Sequence, residues 1–276
     1  MIKQAIIPLA GLGTRLLPLT SVFAKELLPI NGKPGLEYII EECIEAGIKE
    51  IVFIISKKKL MIKKYFYNDK FYKDIIKKKN DPKIIKEYKK ILKYKKMIKF
   101  VFQDKPLGTG DAVYKTKKFI TDKYFLMLLP DDLIIKKNCS KSMIAVHNKF
   151  KASVMASMKV NKSDVSRWGI YNIKKKIDKN NFIINNVVEK PSIKTSPSNN
   201  AVIGRYILPK TIFSKLKSLK PGKSGEFHIT DAIQALIEDD NQFIGHNFSG
   251  KYLDCGTMKG YIKSTLEISK QWNFAW

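Results

Sequence analysis

Apolar residues in this chain fall into short runs, separated by helical stripes and glycine-rich breaks. Residues 2–7 form an apolar run that ends at Pro8 and the glycines after it, which predicts a buried strand. Leu36, Ile39, Ile40, Cys43 and Ile44 recur at helical spacing, and Gly47 stands where a helix over 36–46 would close. Residues 50–55 are a second β-branched run. Residues 57–96 read as one or two basic helices broken at Asp81-Pro82, and 97–102 as a third strand. A glycine loop at 107–110 leads into a helix expected to reach about Ile120. Residues 124–129 form a fourth strand that runs into Pro130, Asp131 and Asp132.

Strand, glycine loop, helix, strand is the rhythm of a parallel sheet with crossover helices. The second half is less regular. Strands are expected at 152–160, 187–190 and 201–208, a polar loop at 195–200, and helices at 229–237 and 257–269. No internal repeat or linker divides the chain. The expected fold class is therefore α/β: a Rossmann-like, mostly parallel central sheet flanked by helices, with a β-rich portion added in the second half. Residues 1–276 are read as a single domain.

Composition narrows the function. No apolar run approaches the roughly 18 residues that span a bilayer. Lys3 ahead of apolar residues 5–9 has the outline of a secretory leader. Pro8, Gly11, Gly13 and Arg15 break it, and no small-residue cleavage site fits. Cys43, Cys139 and Cys255 are odd in number and widely spaced, as are His147, His228 and His246. That excludes a disulfide framework and a histidine metal site, and it points to a reducing, cytoplasmic setting. The net charge of +27 invites a polyanion, yet only Arg15, Arg167 and Arg205 among the 52 basic residues are arginine. Nucleic-acid recognition leans on arginine. The excess lysine accompanies many isoleucines and asparagines, and so reads as compositional drift rather than as a nucleic-acid surface.

The candidate chemistry starts at "AIIPLAGLGTRLLPLT" (5–20). Glycines just past a strand let backbone amides approach a ligand, and in open parallel sheets ligands sit at the strands' carboxyl ends. Two readings compete. The dinucleotide fingerprint has only two of its three glycines here, and Ser56 with Lys57, Lys58 and Lys59 stands where an acidic residue is expected, so NAD fits poorly while NADP stays open. Alternatively, Arg15 and Lys25 beside the loop suit a triphosphate whose charge must be neutralised.

The motifs "GLGTRLLPLT" and "AKELLPINGKP" resemble those of the sugar-1-phosphate nucleotidyltransferases, and within them the bacterial UTP–glucose-1-phosphate uridylyltransferases. "LGTGDAV" (107–113), "LPDD" (129–132), "VVEKP" (187–191), "IGRYIL" (203–208), "GEFHITDAI" (225–233) and "LDCGTMKGY" (253–261) follow in family order across nearly the whole chain. The resemblance implies uridylyl transfer from UTP to glucose 1-phosphate, with thymidylyl transfer on the same scaffold as the alternative and a basic nucleic-acid binder as a distant one. It also implies a nucleotide-binding half over about 1–135 and a sugar-binding and C-terminal half over 136–276.

The roles it implies are specific. Arg15 and Lys25 bind the triphosphate, and Lys190 grips the sugar phosphate. Ala10, Gly11, Gly13, Thr14, Gln103 and Gly108 form the nucleotide site. Gly169, Glu189 and Gly204 form the sugar site. Asp131 and Asp254 hold Mg2+, with Asp132 the nearest competitor. Partners are UTP and glucose 1-phosphate, with a homo-oligomer, dimer or tetramer, expected and no membrane or specific nucleic acid. The arginines at 15, 167 and 205 are expected where lysine cannot replace a planar fork.

Some positions depart from the family pattern. Ala24 replaces the usual proline, so the loop is expected to be less rigid. Gly35 replaces a larger apolar residue. Asp111 stands where histidine is common, and its charge needs a partner. The chain ends soon after Trp272, earlier than many members.

Overall fold

Alternate residues of the first apolar runs face opposite sides of one sheet. Ala5, Ile7, Leu9, Ile51, Phe53 and Ile55 join one core, while Ile6, Val52 and Ile54 join another. Such doubly buried runs are what a parallel sheet covered by helices requires. The computed structural model describes residues 1–222 and 225–270; Trp272 lies outside the described residues.

The chain runs β1 (Gln4–Pro8), the short ladder β2 (Pro29–Ile30) and β3 (Lys33–Pro34), α1 (Gly35–Glu45), β4 (Glu50–Ile55), α2 (Leu60–Tyr67), α3 (Asp69–Lys79), α4 (Pro82–Met97), β5 (Ile98–Phe102), α5 (Thr109–Tyr114), β6 (Tyr124–Leu128), β7 (Asp132–Ile135) and α6 (Cys139–Phe150). It continues through β8 (Ser153–Lys159), β9 (Gly169–Lys176), β10 (Asn181–Glu189), β11 (Asn200–Pro209), α7 (Ile212–Ser218), α8 (Ile229–Glu238), β12 (Phe243–Asn247), β13 (Lys251–Asp254) and α9 (Met258–Ser269).

One sheet carries both halves of the chain, in the order β5-β4-β1-β6-β11-β8-β12-β10-β9. The strands β5, β4, β1 and β6 are parallel, as the sequence rhythm predicts. The second half adds antiparallel strands to the same sheet, β11 against β6 and β8, and β10 against β12 and β9. Helices α1, α2, α4, α6 and α9 pack on one face through residues such as Ile39, Phe66, Ile91, Met143 and Ile268. Helices α5, α7 and α8 cover the other through Val113, Phe213 and Ile233. Among the described residues no helix is long and apolar enough to cross a membrane.

Several boundaries differ from the sequence expectation. The basic stretch 57–96 holds three helices, α2 to α4. The expected break is there, with Asp81 Oδ1 accepting from the Lys83 amide at 2.7 Å, and a further break falls at Asn68. The helix after the second glycine loop stops at Tyr114 rather than near Ile120, where Thr116 Oγ1 turns back to the Val113 carbonyl. The strand expected at 187–190 is the end of the longer β10, and Lys190 leaves it with φ +45°.

Two buried histidines set an acid limit. His246 Nδ1 lies 2.8 Å from Asn181 Oδ1, and His147 Nδ1 lies 2.8 Å from the Ala152 carbonyl oxygen. Burial holds both imidazoles below the ordinary 6.5. Between the lowered folded value and the unfolded one, the unfolded chain binds more protons, so stability is full above pH 6.5 and is lost progressively as pH falls below it. We expect the two histidines to pull the urea midpoint down between pH 7.5 and pH 5.5, about the span over which an ordinary histidine takes up its proton, against the gain from Asp132, whose buried carboxyl protonates near pH 6. His246→Gln should remove that histidine's share, leaving the midpoint at pH 5.5 higher relative to pH 7.5 than in the wild type. An unchanged pH dependence in the variant would remove His246 from the account.

Candidate active site

The site begins where β1 ends. The Leu9 amide still donates to the Ile54 carbonyl at 2.7 Å, but the chain then leaves the sheet. From Ala10 to Thr14 no acceptor among the described residues takes the backbone amides. Gly13, at φ +71°, makes the turn that keeps this row of amides together. These five residues line a cavity of about 440 Å³, together with Lys25, Gln103, Gly108, Asp131 and Glu226. Unspent amides with a half-buried cation beside them form a cradle for anionic oxygens.

The second glycine loop closes the cavity from the far side. Gly108 has φ +95°, and a Cβ on it would stand 2.5 Å from the Phe227 carbonyl oxygen. Glycine therefore lets the segment around Phe227 pack against the loop, with the Gly110 amide donating to that carbonyl at 2.7 Å. This contact brings Glu226 from the second half of the chain to the cavity wall.

Opposite charges meet at its mouth. Lys25 Nζ lies 2.7 Å from Asp131 Oδ2, and Arg15 Nη2 lies 3.4 Å from the same oxygen. Burial opposes charge on both Asp131 and Lys25. The ammonium outweighs it at Asp131, whose carboxyl stays below the usual range, and the carboxylates of Asp131 and Glu26 outweigh it at Lys25, whose pKa is raised. Both groups are charged. Asp254 comes to the same place through the antiparallel ladder of β7 and β13, which sets it opposite Asp132. The Cys255 amide donates to the Asp131 carbonyl at 2.8 Å and ties the two turns together. Asp131 Oδ2, Arg15 Nη2 and Asp254 Oδ1 lie 2.8, 2.9 and 3.2 Å from the point a Cβ on Gly256 would occupy. Two carboxylates and a guanidinium thus surround one small volume.

This donor set fits Mg2+, which takes one or two carboxylates and completes its shell with phosphate oxygens and water. Among the described residues no group of three or more His, Cys, Asp or Glu would hold a metal unaided. Asp132 is committed elsewhere. Its Oδ1 accepts from the Tyr252 hydroxyl at 2.6 Å and its Oδ2 from the Gly204 amide at 2.9 Å. Burial, reinforced by the charge of Asp131, pushes its carboxyl up to about 6.

Gly204 offers no free backbone group. Its amide is taken by Asp132, its carbonyl accepts from the Leu129 amide and from Arg205, and a Cβ would collide with Leu129 and the Asp132 carboxylate. Gly204 therefore packs the loop rather than facing a ligand. Arg205 is wholly buried beside it. Its Nε and Nη2 grip the Glu42 carboxylate, with Nη2 at 2.8 Å from Oε2. Nη1 donates to the carbonyls of Leu129 and Gly204, and Nη2 also to that of Asp132 at 2.6 Å. All five N–H donors are used, and two of the acceptors bracket Asp131. This is the planar-fork position the sequence led us to expect. Among the described residues Arg167 pairs only with Asp164, at 3.6 Å on the surface.

Gly169, Glu189 and Lys190 form a second cluster, outside the 440 Å³ cavity. β9 and β10 pair Gly169 with Glu189, and Glu189 Oε2 lies 3.0 Å from where a Gly169 Cβ would stand. Lys190 Nζ is 3.8 Å from Glu189 Oε1, and both side chains are exposed. The clusters connect through Trp168, whose ring packs edge-on against Tyr252 at 5.5 Å, and thence to Asp132. A further cavity of about 650 Å³ lies between Trp168, Tyr252 and Asp254.

Sequence reasoning missed Glu26 and its partnership with Lys59. The two form a buried ion pair at 2.7 Å directly behind Lys25, so Lys59 is not available to the extra phosphate of NADP. The only sign of this was Glu26 inside the "AKELLPINGKP" motif. Glu226, in "GEFHITDAI", was likewise passed over. Ala24 uses an amide that proline would lack, donating to Met61 Sδ at 3.1 Å.

Comparison with known proteins agrees over nearly the whole chain. The nucleotidyl transferase family matches residues 4–271. The chain is similar to UTP–glucose-1-phosphate uridylyltransferase 2 of Staphylococcus saprophyticus, 37% identical over 269 residues, which is 97% of this chain and 92% of that one. It is also similar to a UDP-glucose pyrophosphorylase solved with UDP-glucose, at TM-score 0.86 and 33% identity, covering 99% of this chain and 100% of that one. A UTP-bound UGPase from Acinetobacter baumannii matches at TM-score 0.89 and 30% identity, covering 99% and 95%.

Proposed function

The chain belongs to the nucleotidyl transferase family, and on that premise we propose that it transfers a uridylyl group from UTP to glucose 1-phosphate. An oxygen of the sugar phosphate attacks the α-phosphorus of UTP. The bond from that phosphorus to the bridging oxygen breaks, and pyrophosphate leaves with the electron pair. The observation that carries this reading is the meeting of Asp131, Asp254, Arg15 and Lys25 at the mouth of a cavity lined by unspent amides. Both reactants are anions, so catalysis is chiefly charge neutralisation and alignment.

The amides of Gly13 and Thr14 cradle the triphosphate. Arg15 and Lys25 bind it and support the charge that gathers on pyrophosphate. Asp131 and Asp254 would hold Mg2+, which, when bound, offsets the mutual repulsion of the phosphates. Gln103, with the backbone of Ala10 and Gly11, receives the base, and Gly108 leaves room for it. Lys190 grips the sugar phosphate, Glu189 accepts from glucose hydroxyls, and Gly169 leaves room for the sugar.

We read the halves at about 1–135 and 136–276 as nucleotide-binding and sugar-binding parts of one unit, because Glu226 and Asp254 of the second complete the site of the first. The three cysteines are buried and free, which suits a cytoplasmic protein. A homo-oligomer rests on the family resemblance alone.

The test is pyrophosphate release by the full chain, offered each nucleoside triphosphate with glucose 1-phosphate and Mg2+. Release with UTP is expected. Release with dTTP in preference to UTP would overturn the substrate, and release with none would overturn the activity.

A further inference from the structure

Gln103 is buried at the end of β5 and lines the cavity beside Ala10, Gly11 and Gly108. Its Nε2 lies 2.7 Å from Asp111 Oδ2 and 3.1 Å from the Gly108 carbonyl oxygen. A carboxylate and a carbonyl are both acceptors, so the atom between them is the amide nitrogen, and its two hydrogens are spent there. An oxygen in that place would be repelled by both. The polar atom Gln103 has left for a molecule in the cavity is therefore Oε1, a pure acceptor. Lys115 Nζ, just past the end of α5 and 3.8 Å from Asp111 Oδ1, partners the charge of Asp111.

We propose that Asp111 is a positioning residue that locks the Gln103 carboxamide with its oxygen toward the base, so that the site selects a pyrimidine carrying a ring N–H over cytosine. The inference rests on the uridylyl-transfer reading and extends it to base selection. Uracil presents N3–H between two carbonyls; Oε1 accepts from N3–H, and unspent loop amides are free to serve the carbonyls. Cytosine presents a bare N3 lone pair, which faces Oε1 unfavourably. Without Asp111 only the Gly108 carbonyl holds Nε2, so turning the carboxamide over to offer Nε2 to that lone pair costs one hydrogen bond less.

The test compares kcat/KM for UTP and CTP, with glucose 1-phosphate as acceptor, in the wild type, Asp111→Ala, Gln103→Ala and the double variant. Asp111→Ala should narrow the UTP-to-CTP ratio about tenfold, the size of one well-placed hydrogen bond. Adding it to Gln103→Ala should change the ratio little further, because the two residues act as one unit. Asp111→Leu, close in shape but with no acceptor for Gln103 Nε2, guards against a loss of packing: the ratio should narrow with the melting temperature and the KM for glucose 1-phosphate unchanged. A wild type that prefers UTP, together with variants that keep its ratio or effects that simply add, would overturn the inference alone. A wild type inactive with UTP would overturn the functional reading itself.

Discussion

Asp131→Asn is expected to lower kcat for uridylyl transfer by about a thousandfold, at the upper end of what one preorganised electrostatic group supplies. The carboxylate is charged, accepts from Lys25 at 2.7 Å and Arg15 at 3.4 Å, and shares one small volume with Asp254. An asparagine of the same shape keeps the packing but removes the charge against which both cations and the proposed ion are set. Asp254→Asn should have a similar effect. Because the two act on one centre, the double variant should lose little more than either single one. Steady-state pyrophosphate release measures all three. Near-normal turnover in both single variants would remove the pair from the mechanism.

Arg205→Lys should cost about 1–3 kcal/mol of stability, the usual penalty for buried acceptors left without a donor. Lysine carries three donors at one point and cannot reproduce the five-donor fork. Glu42 would lose its paired contacts, and the carbonyls of Leu129 and Asp132 would be left short of partners. Those carbonyls flank Asp131, so the same change should disturb the site, with kcat falling even in molecules that remain folded. Urea unfolding followed by circular dichroism gives the first number. A loss below about 1 kcal/mol, the worth of an exposed pair, would show that the fork is not needed.

The first half of the fold was legible because its signals are local. The strands β1, β4 and β6 are continuous apolar runs, α1 has clean helical spacing, and Gly47, at φ +89°, closes it where a glycine is required. In the second half the elements expected at 152–160, 201–208, 229–237 and 257–269 are β8, β11, α8 and α9, while others were passed over because their order is set by distant partners. β7 and β13 have four residues each and exist through one another, although more than a hundred residues separate them. β12 carries Gly245 mid-strand, which weakens the sequence signal. The structure needs that glycine because the Phe182 ring occupies the space a Cβ would take. Helix α6 had a visible start in Asn138, whose side chain accepts from the Lys141 amide, and was passed over among lysines.

The site divides in the same way. The glycine loops and Lys25 announce a phosphate cradle by residue type and spacing. The partnership of Asp131 with Asp254 is invisible to spacing and was reached only through family resemblance. It is the β7–β13 ladder that creates it. Asp132 could not be told from Asp131 in sequence; Tyr252 and Gly204, which occupy its oxygens, separate them. Gly204 looked like a ligand-facing glycine, yet it serves the packing of Leu129 and Asp132.

The most direct measurement is an electron paramagnetic resonance titration of Mn2+, a spectroscopic stand-in for Mg2+, with the full chain in the presence of UTP. The account predicts tight binding in the wild type that weakens sharply in Asp131→Asn and again in Asp254→Asn. Equal affinity in the wild type and both variants would contradict it.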